Sequence, residues 1–210
     1  MDGFSLGVFM KEGGPFMWVI LMVFLTGLGL CFYKFIQLKR QDVNGSRLFD
    51  LVKKYVLENN VEEALNSLAG SKSVLAKILR SGLKRANEER QLVEDAVATS
   101  IMEHTPKISY QLNYISLIAN TSTLIGLLGT IQGLIISFAG VGQGEDAKAE
   151  ALASGIAKAM NTTAFGLISA IIIMALHTYL TSKAGRINDR IDEYSAKLID
   201  LLSVKKKLNQ

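Results

Sequence analysis

Three long runs of uncharged residues dominate the pattern of hydrophobic and polar positions along this chain. They extend over residues 16–33, 108–143 and 159–182. Each run is at least as long as the ~18 residues that a membrane-spanning helix requires. A helix on the surface of a soluble domain, in contrast, keeps one polar face. The pattern therefore predicts an all-α membrane protein with three transmembrane helices.

The segments between these runs differ in their charge. Lysine and arginine outnumber aspartate and glutamate in residues 39–107 and again from residue 183 onward, whereas residues 140–154 carry three acidic residues and one lysine. Because basic segments stay in the cytoplasm, we predict that 39–107 and the C-terminal segment are cytoplasmic. The N-terminus and residues 140–154 would then lie outside. This bias accounts for the net charge of +4, and no mixture of basic and aromatic residues indicates nucleic acid binding.

The same pattern predicts how far the helices extend. Apolar residues recur at helical spacing through residues 39–107, with breaks at Asn59-Asn60 and Gly70, which is typical of a small bundle of short helices. One helix over residues 108–143 would be ~54 Å long, well above the ~30 Å thickness of the hydrocarbon core. We therefore expect the second helix to project into the cytoplasm and the third to continue there as well.

The predicted organisation of the chain has seven segments. They are a periplasmic N-terminus with a possible interfacial helix at 1–15, a first span at 16–38, a cytoplasmic helical domain at 39–107, a long helix with the second span at 108–139, a periplasmic loop at 140–154, a third span at 155–182 and a cytoplasmic C-terminal helix at 183–210. The first span is interpreted as an uncleaved anchor, because it lacks a basic segment before it and a cleavage site after it.

Small and hydroxyl residues form a stripe along each of the last two spans, because steps of three and four residues keep them on one helix face. In the second span these are Ala119, Thr123, Gly126, Thr130, Gly133 and Ser137, and in the third Gly155, Ala159, Thr162/Thr163, Gly166 and Ser169/Ala170. Such stripes are typical of close helix packing. They are also typical of the polar wall of a pore, since Thr130 and Thr163 lie near mid-span with Asn161 close by.

The residue types in the spans limit the chemistry of the protein. None of the three runs contains aspartate or glutamate, so a proton path would need a carboxylate from a partner. His177, near the inner end of the third run, is interpreted as an interfacial residue rather than a relay. The chain has a single cysteine and no nucleophile–base arrangement, metal-ligand spacing or phosphate-binding loop. We therefore predict no enzyme, no metal and no cofactor.

Two motifs and one short segment carry a family resemblance. Residues 127–134 read LLGTIQGL and match the pattern GLxGTVxG, residues 155–167 read GIAKAMNTTAFGL and match GIAEALxxTAxGL, and residues 12–15 read EGGP before the first span. In these features the chain resembles the ExbB/TolQ branch of the MotA/TolQ/ExbB proton channel family. The resemblance implies a ring-forming homo-oligomer, expected to be a pentamer, in the bacterial inner membrane.

The resemblance also implies partners. The ring would surround helices of an ExbD/TolR-like protein, which has a single span and an intramembrane aspartate that carries the proton. Membrane lipid would contact the outside of the ring. A TonB- or TolA-like protein could receive the mechanical work in the periplasm.

The resemblance further implies roles for individual residues. Thr130 and Thr163 correspond to the pore threonines near the partner's aspartate. The predicted lining of the pore also includes Thr162, Asn161, Gly126, Gly133 and Gly166. Lys158 stands where the family commonly has glutamate, and we interpret it as a structural or partner contact at the outer mouth.

The leading hypothesis is a proton-driven stator subunit that converts proton-motive force into mechanical work. The alternative is a structural membrane scaffold without ion flux. A small-solute transporter is disfavoured, because inverted repeats and broken helices are absent from the sequence pattern. Three spans instead of four argue against the flagellar member of the family.

Overall fold

The fold is helical wherever the computed structural model describes it, which is over residues 13–139 and 145–208. No strand occurs in these ranges. The helices are α1 (Pro15–Gln41), α2 (Gly45–Leu57), α3 (Val61–Ala69), α4 (Val74–Lys84), α5 (Arg90–His104), α6 (Pro106–Ser109), α7 (Leu112–Ala139) and α8 (Glu145–Leu208). The possible interfacial helix before residue 13 lies outside the described residues.

Three helical stretches are long and apolar enough to cross a membrane by their length and composition. They are Pro15–Leu57, Arg90–Ala139 and Leu152–Lys205, and they include α1, α7 and most of α8. Their exposed side chains include large apolar ones, such as Leu124, Ile135 and Phe138 on α7, whereas the buried positions of α7 are mostly small residues. This distribution suits contact with lipid, where small residues lie between helices and large apolar residues face outward. The predicted all-α architecture with three candidate spans is confirmed.

The start of α8 differs from the prediction. Residues 140–154 were expected to form a loop, but α8 begins at Glu145. The sequence from residue 145 to 154 is EDAKAEALAS, which is rich in strong helix formers and free of glycine and proline. Its first two residues are acidic, and acidic residues stabilise the first turn of a helix. The charge pattern was used to predict the side of the membrane, which stays a prediction, and it carried no information on the helical state of this segment.

The described chain divides into two compact units. The first consists of the residues up to Tyr33 together with Leu112–Tyr179, and the second consists of Lys34–Gln111 together with the residues from Leu180 onward. The first unit therefore contains most of α1, all of α7 and the first half of α8. The second contains the end of α1, the short helices α2 to α6 and the rest of α8.

In the second unit, α2 packs on α3, α3 on α4, and α4 on α5. Its core includes Val52, Leu68 and Ile78, which are buried. Two of the helices begin with a capping side chain, because Asn60 accepts a hydrogen bond from the backbone of Glu63 and Ser73 from that of Ala76. The short helices thus follow the predicted spacing, while their location in the cytoplasm stays a prediction.

The last part of α8 belongs to the core of this second unit. Its buried residues recur at steps of three and four and include Ile187, Ile191, Leu198 and Leu202. Leu198 lies against Gly82 of α4. The ring of Tyr194 packs on that of Phe49 of α2, with 5.6 Å between their centroids. This apolar face explains why the helix continues beyond the third span.

Candidate functional site

The candidate site is built on the contact between α7 and α8, which is made by glycines. A Cβ atom on Gly166 would lie 2.8 Å from the carbonyl oxygen of Ser122 and 3.0 Å from the Cα atom of Gly126. A Cβ atom on Gly133 would lie 2.7 Å from that of Ala159. These distances leave no room for a side chain, so the glycines allow the two backbones to touch. The pairing of 126 with 166 and of 133 with 159 also shows that the helices run antiparallel.

Hydroxyl groups complete this contact, which we call the seam. The Thr163 hydroxyl donates a hydrogen bond of 3.0 Å across the seam to the carbonyl oxygen of Gly126. The Thr162 hydroxyl donates to the carbonyl of Ala159 in its own helix. Its side chain fills the space beside Gly129, where a Cβ atom would lie 2.6 Å from the Thr162 Oγ1 atom. Thr162 is 1% exposed, so it lies in the interior of the first unit.

The residues of the seam differ in part from the predicted stripe. Its buried members are Ala119, Ser122, Gly126, Gly129, Gly133 and Ser137 on α7, and Gly155, Ala159, Thr162, Gly166 and Ser169 on α8. Sequence reasoning placed Thr123 and Thr130 where the structure has Ser122 and Gly129. Positions 122, 126, 129 and 133 also follow the spacing of one helix face. The sequence was therefore equally consistent with the register that the structure has.

Thr130 and Thr163 lie at the edge of the seam and are half-buried. At ~100° per residue, Thr130 is ~40° past Gly126 around α7, and Thr163 is ~60° away from Gly166 around α8. The Thr130 hydroxyl donates to the carbonyl oxygen of Leu127 at 2.6 Å. Both threonines therefore present partly exposed side chains beside the glycine contact.

Helix α1 packs on one side of the α7–α8 pair, and its contacts show that the two threonines lie on the opposite side. Gly27 of α1 lies against Ile118 of α7, and Gly14 at the start of α1 lies against Lys158 of α8. Each of these contact residues is eight positions before a seam glycine, which places it ~80° from the seam in the sense opposite to Thr130 and Thr163. Helix α1 thus covers one side of the α7–α8 pair, and the two threonines lie on the other.

We call the side with Thr130 and Thr163 the threonine flank. Its neighbours Leu127, Leu134 and Ile156 are exposed in the single chain. The flank therefore combines two hydroxyl-bearing side chains with an apolar surround that nothing in the first unit covers, as far as the structure describes it. Such a surface can face lipid, another copy of the chain or a partner helix.

The predicted site residues separate into three groups. Thr130 and Thr163 share the threonine flank, while Gly126, Gly133, Gly166 and Thr162 form the buried seam. Asn161 and Lys158 lie elsewhere on α8. Residues two positions apart do not face each other on a helix, and Asn161 is ~160° from Thr163. The structure thus does not bring Asn161 together with the two threonines.

Outside the seam and the threonine flank, the buried side chains include one lysine and the single cysteine. No group of three or more histidine, cysteine, aspartate or glutamate residues that could hold a metal ion occurs among the described residues. Cys31 is buried and not bonded to another cysteine. Lys34, which the sequence pattern did not single out, is fully buried in the second unit and donates a hydrogen bond of 2.8 Å to the Gln37 side chain. Only its burial, which requires the structure, distinguishes it from other lysines.

Comparisons with known proteins agree with the sequence motifs. The model of the MotA/TolQ/ExbB proton channel family matches residues 70–193, which include α7, the seam and the threonine flank. The biopolymer transport protein ExbB homolog of Methanothermobacter thermautotrophicus is 28% identical over 184 residues, which cover 87% of this chain and 64% of that protein. The Tol-Pal system protein TolQ of Pseudomonas aeruginosa is 28% identical over 139 residues, which cover 59% of this chain and 60% of that protein.

A third relative supports the same assignment. The biopolymer transport protein exbB1 of Vibrio cholerae is 33% identical over 125 residues, 59% of this chain and 55% of that protein. The chain spans less than two thirds of the length of each of these relatives. Three apolar helices and this family match identify a multi-pass membrane protein. The chain belongs to the MotA/TolQ/ExbB proton channel family, and its relatives place it in the ExbB/TolQ-like branch.

Proposed function

We propose that this chain is a proton-channel and stator subunit of an ExbB–ExbD- or TolQ–TolR-like motor in the inner membrane. In this motor the proton-motive force would be converted into mechanical work across the envelope. The observation that carries the proposal is the threonine flank, where two hydroxyl groups stand on an uncovered surface of uncharged spans. Membership of the proton channel family supports this interpretation of the flank.

The side chains of the threonine flank can line a proton path, but they cannot carry the proton themselves. A threonine hydroxyl can donate one hydrogen bond and accept others, but unlike a carboxyl group it does not ionise and so cannot carry a proton by changing its protonation state. The uncharged runs supply no carboxylate. The carrier would therefore be the intramembrane aspartate of an ExbD/TolR-like partner. When ionised, it could accept hydrogen bonds from Thr130 and Thr163, and the two hydroxyls would then turn away from the carbonyl oxygens of Leu127 and Gly126 to which they donate in the single chain.

A ring of subunits would place several threonine flanks around the partner helices. We propose five subunits, with the N-termini in the periplasm and the C-termini in the cytoplasm. Rotation of the ring relative to the partner would let each flank meet the aspartate in turn. The work would be passed to a TonB- or TolA-like protein, while lipid covers the outer apolar surface.

The geometry narrows the set of residues assigned to the pore. Gly126, Gly133, Gly166 and Thr162 are occupied in the seam, where they hold the two helices at contact distance. We propose that they set the position of the flank, and that Thr130 and Thr163 alone of the predicted set face the proton path. Asn161 is left out because of its position around α8.

The test compares three valine substitutions, which remove a hydroxyl and retain the shape of the side chain. Thr130→Val and Thr163→Val should each lower proton flux into vesicles that contain the chain and its partner by at least tenfold. Thr121→Val is the matched control, because Thr121 is on the same helix, away from the flank, and its hydroxyl also donates within α7, to Leu117. Wild-type flux in both flank variants would contradict the pore role.

Thr163 needs one further control, because its hydroxyl also bonds across the seam. Thr163→Ser keeps the hydroxyl and should restore most of the flux. If it restores helix packing, measured as the midpoint of thermal unfolding, without restoring flux, the methyl group rather than the hydroxyl is required.

A structural scaffold without ion flux is the second candidate function. The observation that favours it is the seam itself, since glycine contacts and a cross-helix hydrogen bond are sufficient for tight packing. The two functions differ in one measurement. A scaffold in complex with its partner would leave vesicles impermeable to protons, and the valine variants would then alter stability alone.

A further inference from the structure

The first unit contains a small, partly open cavity on the side that α1 covers, away from the threonine flank. Its volume is about 100 Å³, and its lining includes Gly13, Pro15, Gln132, Lys158 and Thr162. The start of α1 closes it on one side, and α7 and α8 form the rest. Two of the lining side chains, Gln132 and Lys158, carry polar groups at flexible ends.

The backbone at the start of α1 is shaped to accept Lys158. Gly14 has a φ of +73°, a conformation that residues with a side chain rarely adopt. A Cβ atom on Gly14 would overlap the Lys158 side chain and would lie 2.8 Å from its Nζ atom. The lysine thus lies directly over this glycine. It is ~140° away from Thr163 around α8, so its charge is not directed at the threonine flank.

The ammonium group in this cavity has no counter-charge in the part of the chain that the structure describes. No ion pair or side-chain hydrogen bond connects Lys158 to another described residue, and the Gln132 amide has no described partner either. A lysine between membrane spans is costly unless an acceptor or an opposite charge satisfies it. Two polar side chains line one cavity and lack described partners, which indicates that the cavity accepts a further polar group.

We propose that this cavity binds a carboxylate, with Lys158 as its cation and the Gln132 amide as a hydrogen-bond donor. A volume of about 100 Å³ corresponds to ~3 water molecules, which admits a carboxylate group and excludes a lipid headgroup with its glycerol. The Thr162 hydroxyl already donates to Ala159, so Lys158 and Gln132 are the two donors left. Because the cavity lies on the α1 side, its occupant is not the proton-carrying acid at the flank.

Two sources can supply this carboxylate. One is an acidic side chain of a partner chain that reaches the outer end of the spans. The other is Glu12, which directly precedes the cavity residue Gly13 in the sequence. The site does not depend on the proton path, so its test is separate from that of the proposed function.

The test measures the thermal unfolding of the full chain in lipid nanodiscs, alone and together with its partner. If Glu12 is the source, Lys158→Gln and Glu12→Gln should each lower the Tm of the chain alone by about 2–4 °C, and the double variant should lower it no further. If the partner is the source, Lys158→Gln should weaken retention of the partner at least tenfold, and Glu12→Gln should not. Lys72→Gln, an exposed lysine in a loop, is the control for the loss of one charge.

Three results would overturn the proposal. The first is a Lys158→Gln variant that is as stable as the wild type and retains the partner equally well. The second is a rise in its Tm when the partner is present, which would show that the charge is still unpaired in the complex and that its removal is favourable. The third is a wild-type Tm that rises with added chloride, while Lys158→Gln and Glu12→Gln have no effect on Tm or on retention of the partner. The site would then bind a small inorganic anion. Proton flux is not a readout here, so failure of the pore proposal leaves this result intact.

Discussion

At the scale of single residues, the glycines of the seam determine how closely α7 and α8 approach. The backbone oxygen of Ser122 and the Cα atom of Gly126 both lie near the position that a Cβ atom on Gly166 would occupy. Backbone atoms cannot move aside as the end of a flexible side chain can. A methyl group at this position would therefore have to separate the two helices.

We expect Gly166→Ala to destabilise the protein by about 1–3 kcal/mol, the usual cost of overpacking a core. Gly185→Ala on the same helix is the matched control, because nothing lies within 4 Å of a Cβ atom there. That change should stabilise α8 by about 0.5–1 kcal/mol, since glycine is unfavourable in a helix interior. Thermal unfolding in detergent micelles measures both. Equal effects of the two substitutions would show that the seam is looser than this geometry requires.

At the residue scale, the sequence could not predict the exact register of the seam. The spacing of small residues identified the correct helices and seven of the contact positions, which are Ala119, Gly126, Gly133 and Ser137 on α7 and Gly155, Ala159 and Gly166 on α8. It could not distinguish Ser122 from Thr123 or Gly129 from Thr130, because neighbouring residues are both small or hydroxyl-bearing. The choice is made by Thr162, whose buried side chain needs the empty space beside Gly129. The register of α7 thus depends on a side chain of α8, which the spacing of residues within α7 does not contain.

At the scale of helices, the end of α1 is tied to α8 by one carboxylate. Asp42 accepts from Arg190 at 2.7 Å and lies 3.3 Å from the Lys183 ammonium group. Asp42 follows the last residue of α1, so this pair of contacts fixes where the chain leaves the helix. Lys183 also lies over the ring of Phe35, 5.5 Å from its centroid. The second unit thus has a charged clamp in addition to its apolar core.

We expect Asp42→Asn to lower stability by about 1 kcal/mol, because partly exposed ion pairs contribute little each and two are lost together. The loss should shrink in high salt, since screening weakens the pairs of the wild type. Glu94→Gln is the control, because it removes a pair with Arg90 in which both side chains are exposed. The midpoint of thermal unfolding at low and high salt is the measurement. A loss that is independent of salt would assign the role of Asp42 to hydrogen bonding alone.

Helix boundaries show what the sequence could predict at this scale. The break between α2 and α3 was expected at Asn59-Asn60, and Asn59 has a φ of +62°, which asparagine tolerates better than most residues. The start of α8 at Glu145 was missed. A helix-breaking residue acts within a few positions and can be recognised in the sequence. Between the last two spans, residues 145–154 contain no such residue, and helix propensity was the only sign of a helix there. The prediction gave more weight to the acidic charge of this segment and therefore assigned a loop.

At the scale of the whole molecule, a single chain determines the threonine flank but not what faces it. Leu134 lies four residues after Thr130 on the flank side of α7, whereas Ile135 points ~100° further around, away from the seam. Both side chains are exposed in the single chain, at 42% and 62%. In the sequence and in the structure of the single chain, both residues are exposed apolar side chains of the same helix, and neither observation shows which one faces the proton path. Only assembly can separate a residue that faces a water-filled path from one that faces lipid.

The proposed ring therefore makes a prediction about two neighbouring residues. In a Cys31→Ser background, which removes the only native cysteine, Leu134→Cys should react with a membrane-impermeant thiol reagent and Ile135→Cys should not. Addition of the partner should protect Leu134→Cys, because its helix would occupy the path. Labelling of intact membrane vesicles, followed by mass spectrometry, measures both. Equal labelling of the two positions, or protection of Ile135→Cys by the partner instead, would place the partner on a different face of α7 and would remove the threonine flank from the proton path.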